Sequence, residues 1–247
     1  MVTRTARLAM VTAALGFGFG GGGRAQAALA LPTPGGLSPG QSFRFVFITD
    51  GTTTATSSSI ADYNSFVNAQ AEGATYNGMA IKWVAIASTP TDDAIANVGP
   101  TQAPVYLVDG TFITATTTSS GLWSGNLQRP IAEDVHGVPT LSLTWTGTLP
   151  SGLGGGQAAL GGGFETHLVG NSGLSDRHWV EFNQTTPQIQ LPLYAISQEL
   201  TVPSVVPEPS TLLMAGIGIG AGFAYGEFRR RRDQWRQRPV RQTDAIE

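Results

Sequence analysis

The sequence predicts an α+β fold, rich in strands and organised as one domain, set between two targeting segments. Three observations carry this prediction. Period-two alternation recurs in short runs between residues 42 and 200. Only one stretch of that region has sustained helical spacing. Charge is scarce, at 13% of 247 residues, while glycine contributes 32 and proline 15, a composition of many turns and few long amphipathic helices.

Taken in order, residues 28–41 are rich in proline and glycine and read as a linker. In Ser42–Thr49 (SFRFVFIT), Phe43, Phe45 and Phe47 fall on one face and Arg44, Val46 and Ile48 on the other, a strong strand pattern. Ser57–Glu72 is the helix. Ser58 or Ser59 is its N-cap, and Ile60, Tyr63, Phe66, Val67 and Gln70 follow helical spacing, the first four forming its apolar stripe. Ile81–Ser88 is a second strand. Val105–Val108 and Thr111–Thr114 form a hairpin about Asp109-Gly110. Gly121–Ile131 is irregular. Leu141–Thr148 is a strand with Leu141, Leu143 and Trp145 on one face, and Ser151–Gly163 is a glycine-rich flexible loop with little to pack. His178–Phe182 and Leu191–Leu200 supply the last strands. Residues 42–204 thus form the domain.

The two ends carry most of the basic residues. Seven of the 14 follow Phe228, and Arg4, Arg7 and Arg24 precede Ala28. Between Ala28 and Val206, Arg44, Lys82, Arg129 and Arg177 face twelve acids, so the body is acidic and unsuited to a phosphate backbone, which argues against nucleic acid as a partner. At the start, Arg4 and Arg7 precede an apolar run, Leu8–Phe19. Ala25 and Ala27 then supply small residues at the −3 and −1 positions of a cleavage site before Ala28. Residues 1–27 are therefore expected to be a signal peptide, with the Sec translocon and signal peptidase as partners. At the other end Thr211–Gly226 has no charge. With flanking residues it gives an expected transmembrane helix over about 210–228, stopped by Arg229, Arg230, Arg231 and Arg232. The positive-inside rule puts residues 233–247 in the cytoplasm and the body outside.

Immediately before that span stands Val206-Pro207-Glu208-Pro209-Ser210. Pro207 and Pro209 resist helix and keep the chain extended above the membrane. Motif, apolar stretch and arginine cluster, in that order over residues 205–232, closely resemble the PEP-CTERM sorting signal of exported Gram-negative proteins. The resemblance implies recognition by an exosortase, cutting near the motif, an inner-membrane-anchored precursor, and a destination at the cell surface or in the exopolysaccharide matrix. The body carries a second resemblance, in the order Phe45–Thr49, Ser59–Asn64, Trp83–Thr89, Pro104–Gly110, Leu122–Gly125, Trp145–Thr148 and Leu193–Ser197. Those motifs look like a recurrent ectodomain of PEP-CTERM proteins. They are similar, too, to the endostatin-type branch of the C-type lectin-like fold, in which a final strand closes the sheet, although that fold's usual cysteines are absent here.

No catalytic constellation is legible. The chain has no cysteine, which removes thiolate metal sites, cysteine nucleophiles and disulfides. His136, His167 and His178 lack metal-ligand spacing and read as surface or loop residues, and no metal or other cofactor is expected. Gly-x-Ser-x-Gly is missing, and no Gly-Lys-Ser/Thr follows the glycine-rich loop. The expectation is a non-enzymatic module that contacts exopolysaccharide or surface proteins. Trp123 and Trp179 are its candidate glycan contacts, set against the commoner role of tryptophan as core. The rival expectation is a secreted glycan hydrolase using dispersed carboxylates such as Asp109, Glu165 or Glu181.

Overall fold

The computed structural model describes residues 29–204. In chain order the elements are β1 (Ala30–Leu31), β2 (Ser42–Ile48), α1 (Ile60–Gln70), β3 (Thr75–Tyr76), β4 (Met79–Ala80), β5 (Trp83–Ala85), α2 (Ala94–Val98), β6 (Val105–Leu107) and β7 (Phe112–Thr114). They continue with β8 (Leu143–Trp145), β9 (His167–Asn171), β10 (Asn183–Thr185), β11 (Tyr194–Ser197) and β12 (Leu200–Thr201). Short 3-10 turns lie at Leu122–Ser124, Gly156–Ala158 and Arg177–Trp179. The signal peptide, sorting motif and expected membrane span lie outside the described residues. Among the described residues no helix is long and apolar enough to cross a membrane.

The central sheet runs β5-β11-β2-β6-β7, with β12 also paired to β2. Strand β2 is antiparallel to β11 and parallel to β6. Its alternation is used on both faces. Phe43, Phe45 and Phe47 enter one core with Tyr76, Trp83 and Tyr106, while Val46 and Ile48 enter the other with Val105, Leu107, Trp123, Trp179 and Tyr194. A strand buried on both sides needs apolar residues, and among the buried positions of β2 the one exception is Arg44. That guanidinium is 3% exposed and donates to the carbonyls of Ser197 (2.6 Å), Val98 (2.8 Å) and Gly99 (3.1 Å). It thereby satisfies the C-terminus of α2 and ties it to the sheet. Burial lowers its pKa to about 10.

Helix α1 packs on β5, with Tyr63 and Val67 buried; Ser59 stands at the N-cap position without a side-chain cap bond. Its polar residues matter as much as its stripe. Strand β5 is the end of the sheet, and the groups it turns away from β11 meet asparagine side chains instead of another strand. Trp83 N–H donates to Asn68 Oδ1 (3.0 Å) and Trp83 C=O accepts from Asn68 Nδ2 (2.5 Å). Ala85 N–H donates to Asn64 Oδ1 (2.8 Å), and Ala85 C=O accepts from Asn97 Nδ2 (2.8 Å). Asn64 and Asn97 bond each other through both amide ends. Three side chains thus close an edge that would otherwise template association.

Several expectations are corrected. The 28–41 segment is not merely a linker: Leu31 is buried, and β1 pairs in parallel with β3. A hairpin at β3-β4 turns on Asn77 and Gly78, both at positive φ, and was not anticipated; nor was α2. Leu141 is 75% exposed and Leu143 37%, so the expected apolar face of Leu141–Thr148 holds only at Trp145. Strand β8 belongs to a separate antiparallel sheet, β10-β9-β8, and meets the main core only at that residue. The glycine-rich loop does pack. Ala159 and Leu160 are fully buried, and a Cβ on Gly161, at φ +70°, would stand 2.1 Å from Ser57 O, so this glycine admits a backbone approach no other residue allows. His178–Phe182 is not a strand: it runs from the 3-10 turn through a bend to the start of β10 at Asn183. Asp176 caps the turn by accepting from His178 N–H.

Candidate functional site

Two surface features gather chemically versatile side chains. The first lies at the carboxyl ends of the parallel pair β2 and β6. Asp50 follows β2 by two residues and Asp109 follows β6 by two, and both project where the strands stop. The chain returns across this end at Glu133, whose carbonyl accepts from Ile48 N–H. Asp134 beside it is 4% exposed. One of its oxygens accepts from the N–H groups of His136 (2.8 Å) and Val138 (2.9 Å), which shapes the turn. His136 Nε2 lies 3.3 Å from Glu72 at the end of α1.

Electrostatics at this end favour retained protons. Partial burial and the adjoining Asp134 carboxylate, with which it shares a hydrogen bond, raise Asp50 above the ordinary carboxylate range. Burial, then the charges of Asp109 and Asp134, raise Glu133 as well. One Glu133 oxygen is buried with no hydrogen-bond partner. Glu133 lines a groove of about 420 Å³ with Thr111, Arg129, Pro130 and Pro139. A carboxyl raised in this way is better suited to donate a proton than an ordinary one, which is the property a general acid needs. The Asp109 carboxylate, by contrast, is occupied by Thr111, accepting from its N–H and hydroxyl, and shapes the β6-β7 turn.

The second feature is a groove of about 320 Å³ where the Arg177–Trp179 turn enters β10, lined by Arg177, His178, Glu181, Phe182, Asn183 and Gln184. His178 Nδ1 donates to Asp176 (3.0 Å), and its ring stands edge-on to Phe182 at 6.1 Å and 82°. These hydrogen bonds hold Asp176 below the usual carboxylate range. Phe182 is 45% exposed. The turn that carries this groove is anchored in the core: Trp179 is fully buried, its carbonyl accepts from the Tyr194 hydroxyl (3.0 Å), and Val180 C=O accepts from the Thr146 hydroxyl (2.7 Å).

The expected site residues are distributed unevenly across these features. Trp123 and Trp179 are core, 3% and 0% exposed and packed ring to ring at 6.1 Å, so neither offers a face to a glycan. Asp109 stands near Glu133 at the acidic end, Glu181 lines the groove at β10, and Glu165 stands exposed on its own loop, so the three acids do not converge. His167 is buried in β9 with Nδ1 on Ala55 C=O, not on the surface as expected. Among the described residues no three His, Asp or Glu side chains are arranged to hold a metal. Val206, Pro207, Glu208, Pro209, Ser210, the arginines 229–232, and Ala25, Ala27 and Ala28 lie outside the described residues. Two constellations were missed by sequence reasoning. The acidic end joins residues more than 80 positions apart. The groove at β10 comes from the contiguous run Asp176–Gln184, whose Asp-x-His cap was the available signal.

No curated protein matches the chain. Residues 205–232 match the PEP-CTERM protein-sorting motif, whose bearers are exported, membrane-anchored precursors in Gram-negative bacteria; the motif implies an exosortase as this chain's processing partner.

Proposed function

We propose that this chain is an exported surface protein of non-enzymatic role: its signal peptide is removed, its sorting segment is cut by an exosortase, and its β-rich domain serves as a binding or structural module for exopolysaccharide or other surface proteins. The observation that carries this reading is the sorting motif at 205–232, which follows the last described strand, β12, in the sequence. The C-type lectin-like likeness belongs to the same reading. It is supported by the early helix α1 and by closure of the sheet, β11 and β12 both pairing antiparallel with β2.

The test is the mature termini of the native protein, by mass spectrometry of the surface fraction with and without the exosortase. The reading expects a start near Ala28 and an end near Pro207–Pro209 that is lost in the exosortase mutant. A C-terminus at Glu247 in both strains overturns it. A hydrolase remains the second reading, favoured by one observation: Glu133, raised by burial and then by the charges of Asp109 and Asp134, lines a groove with Arg129. Reducing-sugar release from matrix glycans, abolished by Glu133→Gln, would replace the binding reading with it.

A further inference from the structure

We propose that the groove at the Arg177–Trp179 turn and β10 is a binding site for neutral polysaccharide, with the Phe182 ring as the stacking face. This rests on the polysaccharide reading above and goes beyond it by naming the site and the sugar class.

The argument starts from what is already tied down. Gln184 Oε1 accepts from the Thr166 hydroxyl (2.8 Å), and Asn183 Oδ1 accepts from Gln184 N–H (2.8 Å). The acceptor ends of both amides are therefore used within the protein, and their NH₂ groups are left for a ligand. His178 donates through Nδ1 to Asp176, so its Nε2 presents a lone pair in the neutral ring. The Arg177 guanidinium and the Glu181 carboxylate make no hydrogen bond or ion pair among the described residues. The groove thus offers donors from Arg177, Asn183 and Gln184 and acceptors from Glu181 and His178, around one exposed aromatic ring.

That mixture suits a ligand that carries both donors and acceptors on each unit and has a flat C–H face to lay on an aromatic, which is the chemistry of a pyranose. Charge selects among sugars. Arg177 stands against Asp176 and Glu181, on a body with twelve acids and four bases, so a polyuronate meets net repulsion while a neutral chain does not. The anchored turn at Trp179 and Val180 and the hydrogen-bonded amides reduce the ordering cost of binding. The volume, about 320 Å³, sits at the small end of ligand pockets, in keeping with one or two sugar units of a longer chain passing across an open groove.

The experiment is affinity electrophoresis of the full chain in detergent through gels containing a neutral glucan, a neutral galactomannan, or alginate as the polyuronate. Tryptophan fluorescence confirms that each variant is folded. The expected result is retardation by a neutral polymer and not by alginate, with affinity falling about tenfold or more in Phe182→Ala and in Arg177→Ala, and unchanged in Arg129→Ala at the other groove. Retardation that survives both groove variants, or is lost in Arg129→Ala alone, overturns this site while leaving the polysaccharide reading standing. Retardation by alginate alone overturns the sugar class. No retardation by any of the three overturns both this inference and the polysaccharide reading, and leaves the sorting reading to its own mass-spectrometric test.

Discussion

Replacing Asn64 by alanine removes the acceptor of the Ala85 N–H and both hydrogen bonds to Asn97. Ala85 is fully buried, so its N–H cannot turn to bulk water, and an orphaned buried donor costs about 1–3 kcal/mol. The Asn64–Asn97 amide pair is only partly buried, and its loss adds about 0.5–1.5 kcal/mol. The total is about 1.5–4.5 kcal/mol, a large share of the ~5–15 kcal/mol that holds a domain folded. Urea unfolding followed by tryptophan fluorescence measures it directly, since Trp83 lies on the affected strand; a midpoint shift of about 1 M or more with unchanged slope is expected. Asn64→Asp separates the two contributions, because it keeps an acceptor for Ala85 and loses the donor to Asn97, and it is expected to fall between wild type and alanine. A second readout follows from the edge itself. The double variant Asn64→Ala/Asn68→Ala bares the outward groups of Trp83 and Ala85, and is expected to self-associate at concentrations where the wild type is monomeric by light scattering. A shift below about 0.5 kcal/mol for Asn64→Ala would refute the reasoning, since water or a local rearrangement would then be serving the edge as well as the asparagines do.

Stability is expected to fall as pH rises above the ordinary carboxylate range. Asp50 and Glu133 are raised in the folded state, so their contribution is fully present below the ordinary carboxylate range and is lost as pH climbs through the raised values. Asp176 is lowered and works in the opposite sense, but below that window. Urea midpoints across the range, with Asp50→Asn flattening the slope, check this; a midpoint that rises with pH refutes it. Trp123→Ala is expected to cost about 3–5 kcal/mol, as for a core aromatic, while leaving any glycan retention of the folded protein unchanged. Denaturation curves beside affinity gels test the two halves of that statement.

Much of the local structure was legible in the sequence because it depends on periodicity and on turn chemistry. The two faces of β2, the stripe of α1 and the Asp109-Gly110 hairpin follow from spacing and from the residues a turn tolerates. The sorting segment was legible for another reason: it is read as an extended motif beside an apolar run and a basic cluster, and linear order is the whole signal. Tertiary structure decided what depends on neighbours remote in sequence. A glycine-rich stretch reads as loose until the surface it must approach is known, and at Gly161 that surface is the Ser57 carbonyl. Tryptophan has the chemistry of either a platform or a core, and only packing assigns Trp123 and Trp179 to the interior. Asn64, Asn68 and Asn97 look like surface residues on their own helices until β5 is placed at the edge beside them. Asp50 and Glu133 are raised first by the burial the fold imposes on them and then by acids from other chain segments, which the parallel pairing of β2 and β6 helps bring to one end.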